Sequence, residues 1–238
     1  MAWAGAEALS ALQPSAASLS GGAASDSRTA QVGNLQIVSK DAPATKALSA
    51  SDIAIHDDFL GQEDQQAILS FLRGPGWGYG AFSDPASDAP RYWYKHFAGY
   101  VKDGRETHDL DQIESELAGN APLVSAMWRR IQSALLPGHT LTRCYANGYP
   151  FGAEGGLHLD SNIASHLTAL YYPHLSWHPN YSGETVFFDA AGADIIASVF
   201  PRPNRLVIFP GTIPHVARGI SRKCPELRMT LMFKTAPR

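Results

Sequence analysis

Four side chains in the sequence, His158, Asp160, His215 and Arg228, are those that a redox-active metal ion and a dicarboxylate co-substrate would together need. Successive side chains of an extended strand point to opposite faces, so His158 and Asp160 would emerge on the same side as a two-point metal clamp. His215, from a distant strand, would complete a two-histidine, one-carboxylate triad. Such a triad is typical of redox-active Fe(II) and leaves the opposite face of the metal open.

A His-x-Asp pair is weak evidence by itself, because chance supplies about half a match in a chain of this composition. A second match, His56 and Asp58, precedes a helical pattern over residues 62–73. Aspartate is favoured just ahead of a first helical turn. We therefore interpret His56 and Asp58 as part of a helix entry and predict no metal site there.

The residues around His158 predict a β-rich scaffold. Short β-branched and aromatic runs, divided by Gly, Pro and Asn, cover residues 141–145, 167–172, 183–188, 195–200, 205–210, 215–217 and 227–233. The glycine-rich stretch 147–156 is expected to be a turn leading into a strand that carries the first two ligands. Residues 111–136 show helical spacing, and Pro122 fits the first turn of a second helix. The pattern is typical of a mainly β jelly roll with flanking helices.

In their order, the motifs resemble the 2-oxoglutarate-dependent Fe(II) oxygenase superfamily, and within it the prolyl-hydroxylase-like branch. The resemblance covers about residues 52 to 235. Its elements are Tyr145 and Asn147, His158-x-Asp160, Ala169-Leu170-Tyr171-Tyr172 with Trp177, Gly183-Glu184-Thr185-x-Phe187-Phe188, Pro203-Asn204-Arg205-Leu206-Val207-Ile208-Phe209, His215, and Arg228-Met229-Thr230-Leu231.

Two features depart from the pattern of that branch. Arg228 lies 13 positions after His215. The usual gap is about nine or ten, so the longer one predicts an extended turn over residues 221–226. Ser182 precedes Gly183 where the branch often has two glycines, and a type II or bulged turn would tolerate the serine.

The resemblance implies a double-stranded β-helix with Fe(II), the co-substrate 2-oxoglutarate and O₂ as its cofactors. It assigns the metal to His158, Asp160 and His215, and it assigns the distal carboxylate of 2-oxoglutarate to Arg228, assisted by the Tyr172 hydroxyl. Arginine suits this role because its guanidinium offers a carboxylate two parallel donors.

Further residues are candidates for cofactor and substrate contact. Thr230 shares a strand face with Arg228, and the resemblance implies that Tyr145 also lies near the co-substrate. The candidates for substrate contact are Asn147, Trp93 and Trp177. Core packing is the alternative interpretation for the two tryptophans, because aromatic residues lie more often in a core than in a pocket.

These assignments predict a dioxygenase that hydroxylates an unactivated C–H bond of a small molecule or a protein side chain, with release of succinate and CO₂. Desaturation, epimerisation or ring closure would use the same residues. The alternative from another class is a non-catalytic, cupin-like metal-binding or sensing protein. A metal-dependent isomerase or hydrolase is a third option, weakened because no general acid/base pair accompanies the ligands.

Composition sets the remaining expectations. The chain has 238 residues, 45% of them hydrophobic, so we predict one catalytic domain over residues 51–238 after a flexible, Ala/Ser-rich segment, 1–50. Residues 35–38 of that segment could add an edge strand, and a structured substrate cap is the alternative interpretation of the segment. A formal charge of −3 gives no basic surface, so no nucleic-acid partner is expected. Two cysteines make no disulfide framework and no apolar stretch reaches membrane-spanning length, so we expect a cytoplasmic protein without membrane contact. The oligomeric state is left open.

Overall fold

A computed structural model describes residues 48–82, 91–99, 101–102, 105–106 and 109–238. The predicted segment 1–50, with its edge strand at 35–38, lies almost wholly outside the described residues. The described helices are α1 (Gln62–Arg73), α2 (Leu110–Asn120) and α3 (Pro122–Ala134). None of these helices is long and apolar enough to cross a membrane. The strands are β1 (Ala54–His56), β2 (Gly78–Ala81), β3 (Tyr92–Ala98), β4 (Val101–Lys102), β5 (Arg105–Glu106), β6 (His139–Tyr149), β7 (Leu167–Tyr172), β8 (Thr185–Phe188), β9 (Ile195–Val199), β10 (Arg205–Pro210), β11 (His215–Ala217) and β12 (Arg228–Pro237).

The strands form a large and a small antiparallel sheet. The large sheet has the strand order β1-β10-β7-β12-β6-β3-β2, and the small sheet has the order β11-β8-β9. Strands β4 and β5 pair with each other. Strands that are distant in the chain are neighbours in both sheets, as in a double-stranded β-helix, and this confirms the predicted jelly roll with flanking helices.

The two faces of the large sheet pack in different hydrophobic clusters. Outward-facing residues such as Tyr171 and Leu206 join the larger core cluster with apolar residues of all three helices. The alternate residues, such as Tyr172, point inward and pack with Phe187 of the small sheet. Because side chains alternate along a strand, the helices cover the outside and polar inward positions are left for a site.

Most predicted elements are confirmed, and two expectations about the ligand region are wrong. The helix expected at residues 62–73 is α1, and Pro122 begins α3. Residues 147–149, expected in a turn, continue β6, because they pair with both β3 and β12. His158 forms an isolated bridge with His215 in place of the expected regular strand.

Turns accommodate both departures from the family pattern. Ser182 and Gly183 have positive φ angles of 58° and 86°. A Cβ added at Gly183 would lie 2.9 Å from Arg228 Cδ, so glycine is needed at this close approach. After β11, the expected extended turn is present and is closed by a hydrogen bond from the Cys224 N–H to the Ser221 carbonyl.

Asn204 forms hydrogen bonds that join the segment just before α1 to the large sheet. Its side chain is buried, and its φ of 59° lies in the left-handed region, which asparagine tolerates. The Asn204 Oδ1 atom accepts hydrogen bonds of 2.9 Å from the Leu60 N–H and the Tyr171 hydroxyl. Its Nδ2 donates to the Leu60 carbonyl, and its own carbonyl accepts from the Phe59 N–H. The Asn204 side chain therefore pairs both backbone polar groups of Leu60 and the Tyr171 hydroxyl.

We predict that Asn204→Ala lowers the free energy of unfolding by about 2 to 4 kcal/mol, because it leaves buried polar groups unpaired and strains the backbone. Asn204→Gly keeps the backbone relaxed and should cost less, so the difference between the two variants measures the strain. Chemical denaturation tests both, with exposed Asn180→Ala as the control. Wild-type stability in Asn204→Ala would contradict the role given to this side chain.

Candidate metal centre

Backbone hydrogen bonds hold the ligand segments together. His158 and His215 exchange N–H···O bonds of 3.1 and 3.0 Å, which join the first ligand segment to β11. The N–H groups of Asp160 and Ser161 both donate to the Gly211 carbonyl. A Cβ added at Gly211 would lie 3.0 Å from the Ser161 side chain, so the segments can approach this closely only because residue 211 is small.

The structure brings the three predicted ligands to one point. The ligand atoms of His158, Asp160 and His215 all lie within 4.8 Å of one another. The His158 Nε2 atom is 3.4 Å from Asp160 Oδ1, and the His215 Nε2 atom is 3.5 Å from Asp160 Oδ2. His56 lies on β1, an edge strand of the large sheet that precedes α1, whereas His215 lies on β11 of the small sheet.

A backbone carbonyl two residues earlier in the chain orients each histidine ring. His158 Nδ1 lies 2.9 Å from the Gly156 carbonyl, and His215 Nδ1 lies 2.9 Å from the Ile213 carbonyl. A carbonyl only accepts hydrogen bonds, so each Nδ1 carries the hydrogen and each Nε2 presents a lone pair near Asp160. This tautomer is the one that binds a metal through Nε2.

His215 is held uncharged by its surroundings. Its ring lies against the rings of Phe187 and Phe209, with centroids 5.9 and 4.9 Å away. Burial lowers the pKa of the His215 imidazole to about 4, although the Asp160 carboxylate acts in the opposite direction. At neutral pH the ring is therefore available as a ligand without first losing a proton.

Asp160 is a buried carboxylate that two further side chains orient. Its Oδ2 atom accepts a 2.7 Å hydrogen bond from the Thr168 hydroxyl and contacts the Lys234 ammonium. Burial opposes ionisation of Asp160, but the charge of the Lys234 ammonium outweighs it and holds the pKa of Asp160 well below its usual range. The carboxylate is therefore ionised, as a ligand to a divalent metal must be.

Sequence patterns do not predict the parts played by Thr168 and Lys234. Lys234 and Thr168 are direct partners across β12 and β7. The alternation along β12 contains a signal, because Lys234 falls on the same face as Arg228 and Thr230. The alternation does not show that the segment carrying Asp160 lies beside Lys234.

The predicted co-substrate arginine lies buried at the other end of the same strand face. Arg228 is only 1% exposed. Its Nε donates to the Gly183 carbonyl at 2.5 Å, and its Nη2 donates to the Thr185 hydroxyl at 3.0 Å. The predicted Tyr172 hydroxyl lies 2.7 Å from that same Thr185 hydroxyl. The guanidinium also lies 5.5 Å from the centroid of the Tyr149 ring.

Three further predicted residues lie on the inner face between the triad and Arg228. Asn147 and Thr230 are cross-strand partners, and Tyr145 is the partner of Met232 on the same pair of strands. Tyr145 and Asn147 are partly exposed, whereas Thr230 is buried. The inner face is therefore open towards solvent at Tyr145 and Asn147 and covered at Thr230.

The two predicted substrate tryptophans lie apart from this inner face. Trp93 pairs with Gly148 on the outer face of the sheet, and its ring centroid is 5.2 Å from that of Tyr79. Trp177 is buried in a small cluster of its own, and its indole N–H donates to the Ser182 carbonyl. Its position agrees with core packing, the alternative interpretation of Trp177.

Solved structures share this architecture at low sequence identity. An oxidoreductase of the 2OG-Fe(II) oxygenase family from Burkholderia pseudomallei aligns with a TM-score of 0.55 and 14% identity, over 79% of this chain and 86% of that chain. A Pseudomonas putida prolyl-4-hydroxylase aligns with a TM-score of 0.52 and 19% identity, over 79% of this chain and 93% of that chain. A Trichoplax adhaerens prolyl hydroxylase, in complex with a hypoxia inducible factor peptide, aligns with a TM-score of 0.52 and 17% identity, over 79% of this chain and 84% of that chain. No family model and no curated protein matches the sequence.

The similarities define a class of fold. The chain has the double-stranded β-helix found in 2OG-Fe(II) oxygenases, as the resemblance of its motifs predicts. Prolyl hydroxylases are among the proteins that share this fold with it.

We predict that His215→Ala weakens Mn(II) binding by more than about a hundredfold and leaves the fold intact, since even residues that only support a ligand contribute 10- to 100-fold. Electron paramagnetic resonance titration measures free Mn(II), and circular dichroism checks the fold. Asp160→Ala should have the same effect on Mn(II), although it also deprives Lys234 of its carboxylate partner.

The matched control is His56→Ala, which should bind Mn(II) like the wild type because His56 lies outside the triad. Stoichiometric, tight Mn(II) binding by His215→Ala would exclude His215 as a ligand.

Proposed function

We propose that this protein is an Fe(II)- and 2-oxoglutarate-dependent dioxygenase that hydroxylates a C–H bond of a small molecule or a protein side chain. The single observation that carries the proposal is the buried Arg228 guanidinium, on the same face of β12 as Lys234, whose ammonium contacts the candidate metal ligand Asp160. A buried cation without an anion is costly. Among the described residues, Arg228 forms no ion pair, so a carboxylate from a bound molecule is the missing partner.

The donor set fits Fe(II). Two imidazoles and one ionised carboxylate are ligands that this metal accepts, and they contain no thiolate that would favour zinc or copper. Both nitrogen ligands present Nε2 lone pairs to one point, because Nδ1 of each ring bonds to a backbone carbonyl. Three protein ligands leave further coordination positions for small molecules.

The co-substrate assignment follows from the two ends of the inner face. A 2-oxo acid with a second carboxylate can chelate at the triad and place its far carboxylate at Arg228. Thr185 and Tyr172 hydroxyls flank that position and can donate to the same group. The Gly183 carbonyl fixes the Arg228 Nε, so the guanidinium is already oriented before the co-substrate arrives.

When bound, Fe(II) would supply the oxidative chemistry, in which O₂ and 2-oxoglutarate are consumed, succinate and CO₂ are released, and one oxygen atom is inserted into a C–H bond of the substrate. The chain's own residues hold and orient the reactants. Apolar residues of the inner core, including Leu170, Val207 and Phe187, limit the access of water to the site.

Arg228 also bears on the alternative of a cupin-like protein that only binds metal. Such a protein needs no buried cation on the metal side of the barrel. Arg228, with Thr185 and Tyr172 beside it, supports a site for a second, anionic reactant and therefore favours turnover.

We predict that Arg228→Leu weakens 2-oxoglutarate binding by about 2 to 5 kcal/mol, since it removes a charge-assisted bond from a shielded position. Arg228→Lys should restore only part of the affinity, because an ammonium lacks the planar fork. Calorimetric titration of the Mn(II)-loaded protein with 2-oxoglutarate, without oxygen, measures the effect.

Arg222→Leu is the control, because Arg222 is exposed and its guanidinium packs over the Phe151 ring. Unchanged 2-oxoglutarate affinity in Arg228→Leu would mean that another cation holds the carboxylate.

Turnover itself is tested by loading the protein with Fe(II) and 2-oxoglutarate, then screening metabolites and peptides for succinate release. We expect ¹⁸O from ¹⁸O₂ to appear in the product of any substrate found. Metal binding without 2-oxoglutarate binding would contradict the proposed oxygenase and support the metal-binding alternative.

A further inference from the structure

Two cations lie opposite one another on the inner face of the large sheet, at the end that is farther from Arg228. Lys234 on β12 and Arg143 on β6 are direct cross-strand partners, so their side chains share a face. Both lie over the same aromatic ring. The Arg143 Cζ atom is 4.4 Å, and the Lys234 Nζ atom 5.9 Å, from the centroid of the Tyr145 ring.

This pair carries more positive charge than its surroundings neutralise. Lys234 contacts one carboxylate, that of Asp160. The buried Nε of Arg143 has no hydrogen-bond partner, and among the described residues the guanidinium forms no ion pair. Like charges directly opposite in an antiparallel pair are destabilising, and the two cations have only one carboxylate between them among the described residues.

Metal binding would increase this excess of positive charge. Asp160 is the carboxylate of the triad, so a divalent metal would take a large share of the negative charge that now faces Lys234. Even with the two carboxylates of 2-oxoglutarate present, positive charges at the site would exceed negative ones. The excess lies beside Lys234 and Arg143.

The co-substrate cannot satisfy both ends of β12. Lys234 and Arg228 are six positions apart on the strand, which corresponds to about 20 Å of backbone. If the far carboxylate of 2-oxoglutarate lies at Arg228, the Lys234 end stays available for a different molecule. That end is also the more open one, because Arg143, Tyr145 and Lys234 are all partly exposed.

We propose that Arg143 and Lys234 bind a carboxylate of the substrate and so hold the substrate beside the metal, with the Tyr145 ring as a platform between the two cations. The inference rests on the proposed oxygenase function and narrows it to substrates that carry a carboxylate near the C–H bond. Arg143 offers the planar fork that a carboxylate fits, and Lys234 adds a point charge next to the metal ligand Asp160.

The test uses Mn(II)-loaded protein saturated with 2-oxoglutarate, without oxygen, and three pairs of probes: butyrate and butyramide, hexanoate and hexanamide, benzoate and benzamide. Paramagnetic broadening of the probe protons reports binding close to Mn(II). We expect the carboxylates to be broadened and each amide to bind at least about tenfold more weakly, because a hydrogen bond to a charged group is worth more than a neutral one.

Variants assign the effect to the two cations. Arg143→Met and Lys234→Met should each weaken carboxylate binding at least about tenfold. Arg143→Lys and Lys234→Arg keep the charge and should retain most of the binding. Arg222→Met, on an exposed arginine, should behave as wild type. Circular dichroism confirms that each variant is folded before it is titrated.

Several results would overturn the assignment. These are amides that bind as well as carboxylates, no binding by any of the carboxylates, or carboxylate binding unaffected in both methionine variants. A tenfold loss of 2-oxoglutarate affinity in Lys234→Met, with the binding of the carboxylate probes unaffected, would also overturn it. That result would mean that Lys234 binds the co-substrate. Mn(II) and 2-oxoglutarate binding are measured before any probe is added, so their absence counts against the oxygenase and is distinguished from a failure of the substrate site.

Discussion

The reciprocal backbone hydrogen bonds between His158 and His215 are the constraint on which the site depends. The first ligand segment has no regular strand to hold it, and these two bonds attach it to β11. Both histidines then use the same local device, in which ring Nδ1 meets the carbonyl of the residue two positions earlier. Backbone geometry therefore sets the direction of both Nε2 atoms, and Asp160 needs only to reach the point where they converge.

Strand β12 places two cations on one face, six positions apart. Its inner face presents Arg228, Thr230, Met232 and Lys234 in order, because alternate residues share a face. The two cations lie at opposite ends with the uncharged Thr230 and Met232 between them. Their outward neighbours, such as Phe233, pack in the helix-covered core. Core packing of these outward residues thus fixes which face of β12 carries the two cations, and the extended chain between them keeps the two charges apart.

The sequence predicts the local features well and the long-range ones incompletely. Helix α1 and strands β7, β10 and β11 are predicted closely, because periodicity and turn residues are local signals. Residues 147–149 are assigned to a turn by their glycine, but pairing with strands on both sides keeps them in β6. Tertiary pairing here overrides local preference.

Within the site, the triad can be predicted because its residue types are restricted by metal chemistry. Lys234 and Thr168 cannot be predicted in the same way, because lysine and threonine are common and acquire their roles only from contact with Asp160. The Asn204 junction is similar. Its hydrogen bonds reach Leu60, 144 positions earlier in the chain, which no local pattern indicates.

Burial explains why the two cations of β12 cannot exchange roles. Arg228 is almost fully buried and is fixed by the Gly183 carbonyl and the Thr185 hydroxyl, so it presents a rigid fork to a ligand that must enter deeply. Lys234 is partly exposed and ends in a compact ammonium beside Asp160. A rigid, buried cation suits a carboxylate that is the same in every cycle, which is a property of a co-substrate. A more exposed cation beside the metal ligands suits a molecule that arrives from solvent after the co-substrate and leaves with its C–H bond changed.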